Sequence, residues 1–456
     1  MEREKFSSRL GFILISAGCA IGLGNVWRFP AVVGQYGGAV FILIYLVFLA
    51  LFGLPVMSME FAVGRASKRS VAEAFSELRT DRKTWQNAGN VCIIANYILM
   101  MFYTTVTGLM FVYFVKMCRG DFIGNTATEI SLQYDTVLSD PVTVVGNMVL
   151  ATFLGFVICS AGLQKGVEKI TKFMMLALLV LISVLAIRSV MLPGATEGLK
   201  YYFIPDFNAI RRQGLGNIIF AALGQAFFTL SIGMGTMTVF GSYISRDRSL
   251  TEESVLIAAL DTLVAVAAGV IVIPACFSFG VDPGSGTGLI FRTLPNIFNS
   301  MSGGRIWGSL FFLFMIFAAM STVIGIFENL VAMGIEKGYS RKKAGFINFI
   351  VIAVFSLPCA FGYNILSDIQ PLGSGTTIMD LEDFIVSNNL LPFGALVYIF
   401  FCVNKKYGWG WKNFISEVNT GKGIKFPPKA ALFCSYIIPA VIILVWLQGI
   451  KTTFFA

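Results

Sequence analysis

Histidine is absent from the 456 residues of this chain. That removes the commonest general base, metal ligand and proton-relay side chain, and it weighs against enzyme chemistry and histidine-based proton coupling. Charge is scarce as well: Asp, Glu, Lys and Arg make up 13% of the residues against 56% hydrophobic ones, and the mean hydropathy is +0.78. No water-soluble fold of this length hides so much apolar surface in a core, so most of the chain must be solvated by lipid. The eight cysteines are scattered, mostly inside apolar runs, and form no CxxC pair. Such spacing suits neither zinc ligation nor a disulfide framework. The N-terminal MEREKFSSRLGF has no small-residue cleavage site and reads as a retained cytoplasmic segment, residues 1–9.

Long apolar runs are what the sequence has in quantity. Runs of about 20 residues, the length that crosses a bilayer as helix, begin near residues 10, 39, 88, 142, 167, 214, 252, 305, 344, 384 and 430. They predict an all-α membrane protein of eleven transmembrane helices in one domain, residues 10–451, with the eleventh helix over about 430–450. The net charge of +9 comes from basic residues placed between the runs, not along one face, which argues against nucleic-acid binding. With the N-terminus inside, most of the 34 Lys and Arg fall on the cytoplasmic side, so N-terminus in and C-terminus out is the expected topology.

Two runs are interrupted at matching places, the first by Gly22-Leu23-Gly24-Asn25 and the sixth by Ser231-Ile232-Gly233-Met234-Gly235. Glycine permits non-helical backbone, but freed amides and carbonyls cannot face lipid, so such breaks line a polar cavity within the protein. One Gly-x-Gly in a membrane helix is ordinarily a packing feature; a pair five spans apart points to a binding site. Spans one to five (about 10–190) and six to ten (about 213–404) would then form a 5+5 inverted repeat. Half-helix N-termini favour anions and exposed carbonyl ends favour cations, a combination suited to an amino-acid carboxylate and a metal cation.

Arg28, Glu60, Asp261 and Glu328 lie inside apolar runs, where a charge must be paired or hydrated. Glu60 and Glu328 are expected to hydrogen-bond freed backbone beside the breaks. Asp261, with no basic residue near it in its own run, calls for a bound cation. Arg28, one turn beyond the first break, faces the acidic Asp380, Glu382 and Asp383 at the opening of the tenth run, and snorkelling to the interface is its simpler reading.

The stretch GCAIGLGNVWRFP from Gly18 to Pro30, the following GGAVFILIYLVFLALFGLPVMSMEFAVGR, and the segments Gly224–Ser231 and Ala318–Thr322 resemble the neurotransmitter:sodium symporter family over essentially the whole chain. The resemblance implies a LeuT-like fold with broken helices 1 and 6, and a multi-pass transporter of the bacterial plasma membrane. It implies one sodium ion on Ala20, Asn25, Thr229 and Asp261, and a second on Gly18, Ile21, Ala318, Ser321 and Thr322. The substrate, a hydrophobic amino acid, would meet Ala20, Leu23, Gly24, Tyr103, Phe228 and Ser231 through its charged ends, and Leu99, Met234, Thr322 and Ile326 through its side chain. Arg28 with Asp383, or with Asp380, would form an outer gate, and Arg3 with Glu336 an inner one.

The chain departs from the family where Asp261 stands at a usual Asn, which implies independence of the chloride that animal relatives need. Leu176 stands at a usual proline of the fifth helix, which implies slower sodium release. No organic cofactor, nucleic acid or obligate protein partner is expected. A proton-coupled carrier of the same architecture, and a receptor or channel without coupled flux, are the competing readings.

Overall fold

The computed structural model describes residue 4 and residues 6–281 and 288–454. Among them all regular structure is helical, without a strand. In chain order the helices of the bundle are α1 (Arg9–Ala20 with Gly24–Gln35), α2 (Ala39–Ser67), α3 (Trp85–Arg119), α4 (Pro141–Ser160), α5 (Leu163–Val190), α6 (Leu215–Thr229 with Thr236–Tyr243), α7 (Leu250–Ser278), α8 (Gly304–Glu336), α9 (Arg341–Phe361), α10 (Ile378–Val403) and α11 (Pro428–Lys451). Among the described residues nine of these are long and apolar enough to cross a membrane, and the α1 halves, bent by 56°, make a tenth. The α6 halves are shorter, and only Leu215–Thr229 stands out as an apolar helix.

Helix ends differ from the apolar runs where caps extend them. α9 starts at Arg341 because Ser340 caps the Lys343 amide, adding three basic residues that hydropathy alone excludes. α10 starts at Ile378 because Thr377 and Asp380 form a reciprocal capping box, which takes Asp380, Glu382 and Asp383 into the helix.

The two breaks differ physically. In α6, Ser231, Gly233 and Gly235 have φ of 50°, 94° and 75°, a left-handed region where glycine meets no steric penalty. In α1, Gly22 and Gly24 are not in that region, and space is what demands glycine there. A Cβ on Gly22 would lie 2.4 Å from the Tyr103 hydroxyl and 2.5 Å from the Thr322 hydroxyl, and one on Gly24 would lie 2.7 Å from the Phe228 ring. The first break is therefore a close approach of α1 to α3, α6 and α8, not a release of backbone angles.

Buried polar side chains from neighbouring helices satisfy the opened backbone, as a low-dielectric interior requires. Glu60 of α2 accepts from the Gly233 amide at 2.5 Å. Asn96 of α3 donates to the Met234 carbonyl at 2.9 Å, and Gln225 of α6 donates across to the Gly24 carbonyl at 2.8 Å. Glu328 takes no such part. Its carboxylate pairs with Arg341 at 2.8 and 3.0 Å and accepts from the Tyr243 hydroxyl at 2.8 Å, so its buried charge is neutralised from α9.

Candidate functional site

The carboxylate of Asp261, fully buried in α7, faces the first break. Asn25 Nδ2 donates to its Oδ1 at 2.8 Å and to its backbone carbonyl at 2.9 Å, and the Thr229 hydroxyl donates to Oδ2 at 2.9 Å. Three of the four residues expected around one sodium thus meet through their side chains. The described residues place no Lys or Arg within 4.0 Å of this carboxylate. An ionised Asp261 with two neutral donors would be a buried charge without a counterion, and a cation among these oxygens would supply one.

A second cluster lies between α1 and α8. The Ser321 hydroxyl, buried, is 2.7 Å from the Gly18 carbonyl oxygen, 2.9 Å from that of Ala318 and 3.4 Å from that of Ile21. One hydroxyl proton serves one acceptor well, so four oxygens converge on a point with too few donors, and hard oxygens of this kind suit an alkali cation. Thr322, expected in the same set, instead turns its hydroxyl to the Cys19 carbonyl at 3.1 Å, toward the Gly22 and Tyr103 end. Groups of three or more Asp, Glu or Cys able to hold a metal do not occur among the described residues, so neutral oxygens and Asp261 are what a cation finds.

Several of the remaining expected residues lie at the two breaks. The Leu23 amide donates to the Tyr103 hydroxyl oxygen at 3.0 Å, which joins two of the groups expected at an amino-acid carboxylate. The Phe228 carbonyl accepts from the Leu230 and Ser231 amides. A cavity of about 250 Å³ descends to Leu23, Tyr103 and Phe228, and Arg28, Asp380 and Asp383 line it. Leu99, Met234, Thr322 and Ile326 are all buried, and none of them lines the cavity that reaches the first break.

The residues expected at an outer gate share that cavity with no ion pair among the described residues: the Arg28 guanidinium sits over the Phe228 ring, 4.6 Å from its centroid. Asp383 accepts from the Ser387 hydroxyl at 2.6 Å, and Asp380 is committed to the Thr377 cap. The cavity is thus open between Arg28 and these carboxylates, at the end of the bundle away from the N-terminus.

Among the described residues, the N-terminal end is closed by contacts beyond the expected pair. Arg3 lies outside the described residues. Glu336 accepts from the Ser70 amide at 2.6 Å and hydroxyl at 2.5 Å, holding the N-cap of the helix Val71–Leu78. The described contacts at this end are Ser7, whose amide and hydroxyl donate to Glu168 of α5 at 2.9 and 2.6 Å, Arg9 on Glu252 and Glu253 of α7, and Glu4 on Arg341 of α9. Phe6 packs edge-on against Tyr243, below the second half of α6. Leu176 is in an unbroken stretch of α5, 48% exposed and facing outward, while Thr171 and Met175 of the same helix pack against Gly18.

The sodium:neurotransmitter symporter family model matches residues 3–130 and 121–454. The chain is 32% identical to the uncharacterized sodium-dependent transporter YhdH of Bacillus subtilis, with 97% of each chain covered. It is 31% identical to an uncharacterized sodium-dependent transporter of Methanocaldococcus jannaschii, over 97% of this chain and 90% of the relative. The crystal structure of MhsT in complex with L-phenylalanine superimposes with a TM-score of 0.87 at 34% identity, covering 98% of this chain and 100% of that one. The fold, the broken helices and these matches agree: the chain belongs to the sodium:neurotransmitter symporter family, and it is a membrane transporter, not an enzyme.

Proposed function

We propose that this chain is a sodium-coupled symporter that imports hydrophobic L-amino acids, aliphatic and aromatic, across the bacterial plasma membrane by alternating access. Two sodium ions drive it, and chloride is not required. The observation that carries the reading is the convergence of the Gly18, Ile21 and Ala318 carbonyl oxygens on the Ser321 hydroxyl, an acceptor-rich point where a cation is the missing partner. Asp261 with Asn25, Thr229 and the Ala20 carbonyl would hold the other ion and the substrate carboxylate together, which couples the two bindings. The fixed charge of Asp261 would stand in for chloride.

Leu23, Gly24 and Tyr103 would receive the carboxylate, and carbonyls near Ala20, Phe228 and Ser231 the ammonium. Leu99, Met234, Thr322 and Ile326 would enclose the side chain, rejecting charged ones through desolvation, while the flexible Met234 thioether adapts to different shapes. The L-phenylalanine with which MhsT was crystallised supports this substrate class.

The eleven-span topology, with α6 crossing as two halves, two repeats over about 10–190 and 213–404 and the N-terminus cytoplasmic, makes the open cavity an outward vestibule. The inner gate would then be Arg3 with Glu336, beside the closed Ser7, Arg9 and Glu4 contacts. Arg28 would close the vestibule by moving onto Asp383 over bound substrate.

Uptake of labelled leucine and tryptophan into proteoliposomes under separately imposed sodium, proton and chloride gradients tests the proposal. Accumulation is expected with the sodium gradient alone. Accumulation driven by the proton gradient without sodium would support the proton-coupled alternative, and binding without accumulation a receptor.

A further inference from the structure

On the outer surface of the bundle, near the sealed N-terminal end, α4 and α9 leave a groove of about 390 Å³ between them. Its walls are aromatic: Phe153 and Phe349 meet edge-on with centroids 5.9 Å apart, Phe346 is 65% exposed, and Phe156 forms a buried floor against Phe327. In a membrane such a groove takes a hydrocarbon chain. What distinguishes this one is its polar end, where the C-terminus of α4 at Ser160 meets the N-terminus of α9.

Three consecutive basic residues start α9, and their fates differ. Arg341 is committed to Glu328, Glu4 and the Cys159 carbonyl. Lys343 lies over the Tyr339 ring, 4.8 Å from its centroid. Lys342 is exposed, lines the groove, and has no ion pair among the described residues. An aromatic slot ending in an uncommitted ammonium is complementary to a long apolar chain bearing a negative head.

We propose that the α4–α9 groove is a binding site for one anionic phospholipid of the leaflet on the N-terminal side, with an acyl chain along Phe153, Phe346 and Phe349 and the phosphate on Lys342. Basic pockets between membrane helices recognise anionic headgroups in this way, and one lysine near the surface contributes about fivefold in affinity.

The test is retention of phosphatidylglycerol against phosphatidylcholine of the same acyl chains by the purified full-length protein, read by native mass spectrometry. The unmodified chain is expected to retain one phosphatidylglycerol in preference. Lys342→Ala should reduce that preference about fivefold, and Lys343→Ala should leave it unchanged. Val157→Trp, which fills the groove from an exposed position, should reduce retention of either lipid there. Equal retention of both lipids by the unmodified chain would overturn the proposal. So would a preference that survives Lys342→Ala, or one lost equally with Lys343→Ala, which would indicate general surface charge.

Discussion

Replacing Asp261 by Asn removes one charge from the buried site and almost no volume. The carboxylate now accepts from Asn25 at 2.8 Å and from Thr229 at 2.9 Å. An Asn amide can keep its oxygen toward Asn25 and donate its NH₂ to a Thr229 hydroxyl that rotates to accept, so the fold should lose at most about 1 kcal/mol. Sodium, by contrast, loses an ionised ligand in a fully buried position. Interactions with charged groups contribute about 1.5–3 kcal/mol net, so the half-saturating sodium concentration should rise roughly 10- to 150-fold. If the carboxylate also replaces chloride, adding chloride should recover part of that loss in Asp261→Asn and change nothing in the unmodified chain. The assay is leucine uptake into proteoliposomes as a function of sodium, with chloride or gluconate as the anion. A sodium dependence in Asp261→Asn within about twofold of the unmodified chain would refute a sodium ion at this carboxylate.

Ser321→Ala leaves the three carbonyl oxygens of Gly18, Ile21 and Ala318 without their common hydroxyl; sodium affinity in ligand-binding titrations should fall about tenfold with thermal stability lowered only slightly. Gly11→Ala places a Cβ 2.0 Å from Glu168 Oε1 and so pushes apart the Ser7–Glu168 contact; a cysteine placed in α5 near Thr171 should become more reactive to a thiol reagent added from the N-terminal side. Leu176→Pro removes a backbone donor in mid-helix without disturbing buried packing, since Leu176 faces outward; turnover should rise with substrate affinity unchanged, and an unchanged turnover would count against a stiff α5 limiting sodium release.

Some of this architecture is legible in sequence because its signals are local. Apolar runs locate the bundle helices, paired Gly-x-Gly interruptions locate both breaks, and an isolated Asp261 in an apolar run marks where a counterion is missing. What is not legible depends on partners far apart in the chain. Glu328 reads as a scaffold for broken backbone, yet Arg341, on the next helix, is what neutralises it. Gln225 and Asn96, which satisfy carbonyls at the breaks, resemble any other amide in a run, and only their convergence on Gly24 and Met234 reveals their task. The N-terminal seal is beyond local reading for the same reason, since Ser7 and Glu168 are 161 positions apart. Gly22 shows a subtler limit: a glycine kept for close approach and one kept for a left-handed backbone look alike in sequence.

The central claim is that opened helices at mid-bilayer and a bound sodium ion together capture an amino-acid zwitterion. Equilibrium binding of labelled leucine to the purified protein, in sodium and in equimolar choline, tests it most directly. Saturable binding in sodium that weakens at least tenfold in choline is the predicted result; the same affinity in both would contradict the account.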